Sequence, residues 1–200
     1  ITAAAIWAIE NYDNPIMIIS PSDHVIRDQK AFENSVESAI FLAKAGKVVT
    51  LGIRPTYAET GYGYILKGDN FKVESFCEKP DLQTAERYLE SGDYLWNSGV
   101  LVVQAATLIR EMEKYQPNIV QLAREAYADG AKDLNFFRLH TPAFNAMPTI
   151  SMDYAMLEKT HLASVVPLDA GWSDVGSWKA IHDLKEKDLH NNVLQGDVLA

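Results

Sequence analysis

Residues 15–53 read PIMIISPSDHVIRDQKAFENSVESAIFLAKAGKVVTLGI, and this stretch decides the fold. Residues 15–20 are short, continuous and apolar, the pattern of a strand buried on both faces. Asp28 offers a helix cap, and Phe32, Val36, Ala39, Ile40 and Ala43 then recur at helical spacing until Gly46 ends the run. Residues 48–53 make a second buried strand. Strand, helix and strand in that order predict a βαβ crossover, right-handed by default.

Working outward, residues 2–12 place Ile6, Ile9 and several alanines at helical spacing. Beyond residue 53 the pattern changes. A polar loop over 54–63 leads into two alternating segments, 64–67 and 71–78, which read as antiparallel strands. Asp81 caps a short helix that Gly92 stops, and 95–103 is apolar enough for another strand. Helices follow over 107–115 and 118–128, the second with Pro117 before it. Ser151 caps residues 152–159, a strand covers 163–168, and Ser177 caps a last helix to Lys185. The sum is an α/β domain with a mixed sheet.

A chain of 200 residues, 48% hydrophobic and 22% charged, suits an ordinary globular domain with a sizeable core. A net charge of −9 argues against non-specific nucleic-acid binding, which needs a basic surface. An anionic substrate is still compatible, because a local pocket and a metal outweigh the global sign. One cysteine, Cys77, excludes an internal disulfide and a cysteine-based zinc site, and points to a reducing compartment. The apolar runs are too short to cross a bilayer as a helix. A cytoplasmic protein is expected.

Asp23 ends the first apolar run, and Asp174 lies in Gly171-Trp172-Ser173-Asp174-Val175-Gly176. Each follows a strand-like segment and precedes a helix-like one, the junction where ligands bind in open α/β folds. Each alone also reads as a turn or capping residue. Brought together, the two carboxylates suit Mg²⁺, which prefers a few carboxylates plus phosphate oxygens. Phe76-Cys77-Glu78-Lys79-Pro80 closes a strand, since proline cannot donate into a ladder. The segment is either a solvated strand end or a site with Lys79 on a phosphate and Glu78 on a sugar hydroxyl. Neighbours in an ideal strand point to opposite faces, so joint use requires a twist or bulge. Asn97, inside Trp96-Asn97-Ser98-Gly99-Val100, would cost about 1–3 kcal/mol if buried unpaired. It therefore bonds to backbone or faces a wet pocket. Gly61-Tyr62-Gly63-Tyr64 permits close backbone approach to a ligand or forms a turn. His24 reads as a hydrogen-bonding support for Asp23, and Trp172 with Trp178 as packing around the loop. No Walker loop, zincin pair, Gly-x-Ser-x-Gly elbow or Asp-x-Asp triplet occurs.

Taken together, Pro21-Ser22-Asp23-His24-Val25-Ile26, Glu59-Thr60-Gly61-Tyr62-Gly63-Tyr64-Ile65, the Glu-Lys-Pro segment, Trp96-Asn97-Ser98-Gly99, Ser151-Met152-Asp153-Tyr154 and Asp169-Ala170-Gly171-Trp172-Ser173-Asp174-Val175-Gly176-Ser177-Trp178 occur in an order that resembles bacterial mannose-1-phosphate guanylyltransferases. The resemblance spans the chain. It implies a Rossmann-like nucleotidyltransferase fold with a mixed, mainly parallel sheet. The implied reaction is transfer of GMP from GTP to mannose 1-phosphate, giving GDP-mannose and pyrophosphate. In that family's terms Asp23 and Asp174 would hold Mg²⁺, with these two and Lys79 the catalytic set. Lys79 would meet the sugar phosphate; Gly63, Glu78, Asn97 and Asp153 would meet the mannose; Thr2 and Ser22 would lie on the nucleotide side. Alternatives are a glucose 1-phosphate uridylyl- or thymidylyltransferase, or a non-catalytic sugar-phosphate binding module.

The chain opens on Ile1 rather than methionine, and residues 196–200 read as a strand beginning, so both ends are expected to lie inside a longer protein. Residues 1–190 would form the transferase domain, with 191–200 starting a further module. The family's glycine-rich signature loop and first strand are expected upstream of Ile1. This stretch alone should then have little transferase activity. The strand at 15–20 should show an open apolar edge, which favours association with other chains, a second copy included.

Overall fold

The computed structural model describes residues 1–194 and 196–198. In chain order the elements are α1 (Thr2–Asn11), β1 (Ile16–Ile19), α2 (Gln29–Lys44), β2 (Val48–Ile53), β3 (Tyr64–Lys67), β4 (Val73–Cys77), α3 (Leu82–Ser91), β5 (Tyr94–Gln104), α4 (Ala105–Tyr115), α5 (Pro117–Ala128), β6 (Ala131–Asp133), β7 (Phe136–Arg138), α6 (Thr141–Asn145), β8 (Ala163–Leu168) and α7 (Trp178–Leu184). The caps read from the sequence are in place. Asp28 accepts from Ala31 N at 2.9 Å, Asp81 from Thr84 N at 2.8 Å and Ser177 from Ala180 N at 3.1 Å. Gly92 ends α3 in the left-handed region at φ 72°, where a side chain is costly. Differences lie where local signals are weak. The hairpin of β6 and β7 and the short α6 are additions to the expected elements, and β4 begins only at Val73, after a 3-10 turn at Asp69–Phe71. Of the strand start expected over 196–200, residues 196–198 carry no strand pairing, and 199 and 200 lie outside the described residues.

β5 organises the main sheet, whose order is β4-β3-β5-β2-β8, with β1 also on β5. One edge of β5 carries β2. The other carries β3 at its start and β1 at its end. The sheet is mixed, and β1, β2, β3 and β8 share one direction. The expected predominance of parallel pairing is nevertheless corrected at the level of ladders. Only β2 and β8 pair in parallel among the described residues, because antiparallel β5 inserts between the two strands of the βαβ unit. Among the described residues β1 pairs with β5 alone, and Ile18 on it is half exposed.

Alternation along β5 divides the core between the two sheet faces. Leu101 and Val103 join the residues of α1, α4 and α5, whereas Val100 and Val102 join those of α2 and β2. The regular ladder with β2 breaks between Thr50, opposite Leu101, and Gly52, opposite Asn97. Ser98 and Gly99 bulge out there, and Gly99 takes φ +74°. A bulge re-aims side chains, and it is how a polar triplet is accommodated inside an apolar strand.

Candidate functional site

The bulge in β5 sets the centre of one cluster. Asn97 N donates to Gly63 O at 2.8 Å, which ties β5 to the Gly61–Gly63 loop. The Asn97 amide bonds in turn to two side chains: Nδ2 donates to Asp153 Oδ1 at 2.8 Å, and Oδ1 accepts from Thr50 Oγ1 at 2.7 Å. Asn97 is thus satisfied by side chains beside a small cavity of about 60 Å³, whose walls include Ile19, Thr50, Gly99, Met152 and Asp153. Asp153 opens a π-helical turn, Asp153–Leu157, in which Glu158 N reaches back to Asp153 O at 3.0 Å. Ser151 is only a loose cap there, its Oγ 3.4 Å from Tyr154 N. The expected helix over 152–159 is therefore this widened turn, a form that recurs at functional sites.

Glu78 and Lys79 join the same cluster by way of a backbone twist. The ladder ends at Cys77, and Lys79 adopts φ +48° while its N–H donates to Tyr62 O at 3.2 Å. That left-handed turn brings Lys79 Nζ to 3.7 Å from Glu78 Oε1, so the two sequence neighbours lie side by side rather than on opposite faces. The Glu78 carboxylate packs against Gly63 so closely that a Cβ there would lie 2.6 Å from Oε2. Any side chain at residue 63 would displace Glu78. Glu158, exposed, accepts from Glu78 N at 3.3 Å.

Burial, and then the Asp153 carboxylate, push the Glu78 carboxyl above the usual glutamate range; Lys79 pulls it down and Glu158 pushes it up. A carboxyl whose pKa is raised in the folded state contributes stability below its unfolded pKa and loses it as pH rises through the folded value. Glu78→Gln carries no charge, so it should unfold at a higher temperature than the wild type near neutrality. The gap should close as pH falls towards about 4, where the unfolded carboxyl is itself protonated. Thermal unfolding of both proteins across that range checks this; a gap independent of pH contradicts it.

The two aspartates are brought into adjacent loops. Val25 N donates to Ser173 O at 2.8 Å and Ser173 N to Val25 O at 2.9 Å, an antiparallel bridge that draws the segments of Asp23 and Asp174 together. Asp23 is 81% exposed, 4.0 Å from His24 Nε2, and His24 Nδ1 accepts from Trp172 Nε1 at 3.2 Å. Asp174 lines a separate, larger cleft of about 850 Å³ with Tyr57, Tyr62, Trp96 and Trp172. Burial, and then the neighbouring Asp174 carboxylate, raise the Tyr62 pKa. Gly176 N also donates to Asp174 Oδ1 at 3.1 Å, and Val175 between them sits at φ +55°. A β-branched residue is strained there, and strain of this kind gathers at ligand sites. Trp178 does not pack with Trp172 as expected; it is 86% exposed, and Trp172 instead meets His24 and Tyr62 edge to face. Thr2 is buried at the start of α1 and lines a groove with Met152, while Ser22 is exposed on the Asp23 loop. The two stand on separate elements.

Among the described residues no group of three or more His, Cys, Asp or Glu side chains is placed to hold a metal. The paired loops carry one carboxylate each, on Asp23 and Asp174, and carboxylates are donors of the kind that Mg²⁺ accepts alongside water and phosphate. Three residues that contact these candidates were not singled out by the sequence. Thr50 reads as one more position in a buried strand, Glu158 as a helix surface charge, and Tyr62 as part of a glycine turn. Only the alternation of Thr50 with Val49 and Leu51 hinted that its hydroxyl faces the other side of the sheet.

The family model described as Nucleotidyl transferase matches residues 2–191. The xanthan biosynthesis protein XanB of Xanthomonas campestris pv. campestris strain B100 is 48% identical over 202 residues, spanning all of this chain and 43% of that protein. Mannose-1-phosphate guanylyltransferase of Salmonella muenchen is 44% identical over 207 residues, again across the whole chain and 44% of the relative. A crystal structure described as mannose-1-phosphate geranyltransferase from Thermus thermophilus superposes with TM-score 0.81 at 31% identity, covering 98% of this chain and 56% of that one. The chain thus spans less than half the length of the curated relatives it matches.

Proposed function

The chain belongs to the nucleotidyl transferase family, and on that premise we propose that it acts in the transfer of GMP from GTP to mannose 1-phosphate, giving GDP-mannose and pyrophosphate. The observation that carries this reading is the cluster of Gly63, Glu78, Asn97 and Asp153 with the Lys79 ammonium at its rim. Carboxylates and an amide suit the hydroxyls of a neutral sugar, and a single exposed cation suits its phosphate. Relatives named as mannose-1-phosphate guanylyltransferases share up to 44% of the sequence, which supports mannose over other sugars.

In this reading a phosphate oxygen of mannose 1-phosphate attacks the α-phosphorus of GTP. The new P–O bond forms as the bond to the β-phosphate oxygen breaks, and pyrophosphate leaves with that electron pair. Positioning and charge neutralisation do most of the work in such displacements. Lys79 holds the attacking phosphate, and the Gly63–Asp153 cluster orients the sugar behind it. Asp23 and Asp174 would hold Mg²⁺, which when bound offsets the mutual repulsion of the two polyanions. Thr2 and Ser22 are assigned to the nucleotide side by family resemblance. No helix among the described residues is long and apolar enough to cross a membrane.

Calorimetric titration tests the assignment. Mannose 1-phosphate should bind this chain at least tenfold more tightly than glucose 1-phosphate, and Asp174→Asn should remove any dependence of binding on Mg²⁺ and GTP. Equal affinity for the two sugars would remove mannose from the proposal.

A further inference from the structure

The Asn97 amide is held on three sides. Its Oδ1 faces the Thr50 hydroxyl at 2.7 Å and the Gly99 N–H at 3.3 Å, and its Nδ2 faces Asp153 Oδ1 at 2.8 Å. The Asp153 carboxylate, an acceptor, and the Gly99 N–H, a donor, demand the same orientation of the amide, oxygen towards β2 and nitrogen towards the π-helical turn, and the Thr50 hydroxyl donates to the oxygen in that orientation. The Gly99 contact is long, so the strong hold on the oxygen side is Thr50. That residue is 2% exposed, and its one hydroxyl proton is directed to Asn97 Oδ1, the nearer of its two acceptors, rather than to Val100 O at 3.1 Å.

We propose that Thr50 is a positioning residue for sugar recognition: its buried hydroxyl fixes the Asn97 amide so that one N–H engages Asp153 and the other is left for the ligand. With Oδ1 occupied by Thr50 and Gly99, the ligand meets a donor at Asn97 and acceptors at Asp153 and Glu78. A hydroxyl that accepts from the amide while it, or a vicinal neighbour, donates to a carboxylate satisfies that pattern. The ligand class is therefore a polyhydroxylated neutral ring. Without Thr50 the amide oxygen keeps only its long bond to Gly99 N, and the amide swings more widely about its bond to Asp153, so that its second N–H is no longer held in place for a ligand. The inference rests on the mannose 1-phosphate reading for the identity of the ligand, and on the structure alone for the hold on Asn97.

Two measurements on the same proteins separate these dependences. The first is ligand-free: hydrogen exchange of the Asn97 side-chain amide by NMR. Thr50→Val keeps the shape and strand preference of the residue but removes the donor, and should speed exchange tenfold or more. Thr50→Ser keeps the hydroxyl and should stay close to the wild type. The second is calorimetry with mannose 1-phosphate, where Thr50→Val should bind about tenfold more weakly and Thr50→Ser within threefold of the wild type. If Thr50→Val does not fold by circular dichroism, Thr50→Ala takes its place in both comparisons. Unchanged Asn97 exchange in the hydroxyl-free variant overturns the proposal, as does faster exchange with unchanged affinity. A serine variant that behaves like valine overturns it too, because the methyl rather than the hydroxyl would then matter. Absence of mannose 1-phosphate binding by the wild type sinks the sugar reading and the recognition role with it, while the exchange data still decide whether Thr50 holds Asn97.

Discussion

Gly52→Val is expected to destabilise the fold by about 3 kcal/mol or more, a large fraction of the roughly 5–15 kcal/mol by which a domain is ordinarily stable. Gly52 lies in the middle of β2, between β5 and β8. A Cβ placed there would stand 2.6 Å from Val165 Cγ2, 2.7 Å from Leu95 Cδ1 and 3.0 Å from Leu95 Cβ. The first is on a stiff β-branched side chain in the parallel neighbour, and the last is tied to the backbone, so neither gives way cheaply. Alanine should already be costly, and valine adds two methyl groups to a filled layer. Gly92 is the contrasting case. It has open space around its Cβ position but φ +72°, so Gly92→Ala should cost only the left-handed strain of about 1–2 kcal/mol. Urea denaturation midpoints measure all three variants. Gly52→Val with a midpoint near the wild type would mean that β2 and β8 are not packed as described.

Lys79→Ala should weaken mannose 1-phosphate binding by at least tenfold, because a charge-assisted bond to phosphate contributes about 1.5–3 kcal/mol. The same residue carries an opposing structural effect. At φ +48° Lys79 is in a conformation that costs a side chain roughly 1–2 kcal/mol, and glycine adopts it freely. Lys79→Gly should therefore bind as weakly as Lys79→Ala yet unfold at a higher denaturant concentration than the alanine variant. That split distinguishes a strained ligand-binding lysine from a solvated strand end. If both variants bind like the wild type, Lys79 has no role on the phosphate. If alanine and glycine are equally stable, the turn at Lys79 is not under strain.

The same two sites show where local reading stops. That a strand ends near Pro80 follows from proline chemistry alone. That Lys79 turns back to lie beside Glu78 follows from the Tyr62 carbonyl, which is delivered by the loop leading into β3. Asn97 could be recognised as a polar residue that needed partners. Its actual partners, Thr50 and Asp153, are remote in sequence and meet it only because β5 bulges against β2. The loops of Asp23 and Asp174 were legible as ligand-facing junctions, and the Val25–Ser173 bridge that makes them adjacent was not. That Asp174 shares a cleft with Tyr62 and Trp172 while Asp23 stands exposed beside His24 was not.

Periodicity, caps and breakers act over a few residues, so the sequence by itself determined most elements: α1, α2 with Asp28, β2, α3 between Asp81 and Gly92, and α7 with Ser177. Insertion of antiparallel β5 between β1 and β2, the bulge at Ser98 and Gly99, and the face of the sheet to which each functional side chain points were decided by the tertiary structure. Strand pairing joins residues with no local signal for each other, and a shift in register moves side chains to the opposite face. Only the packed sheet specifies which residues share a site.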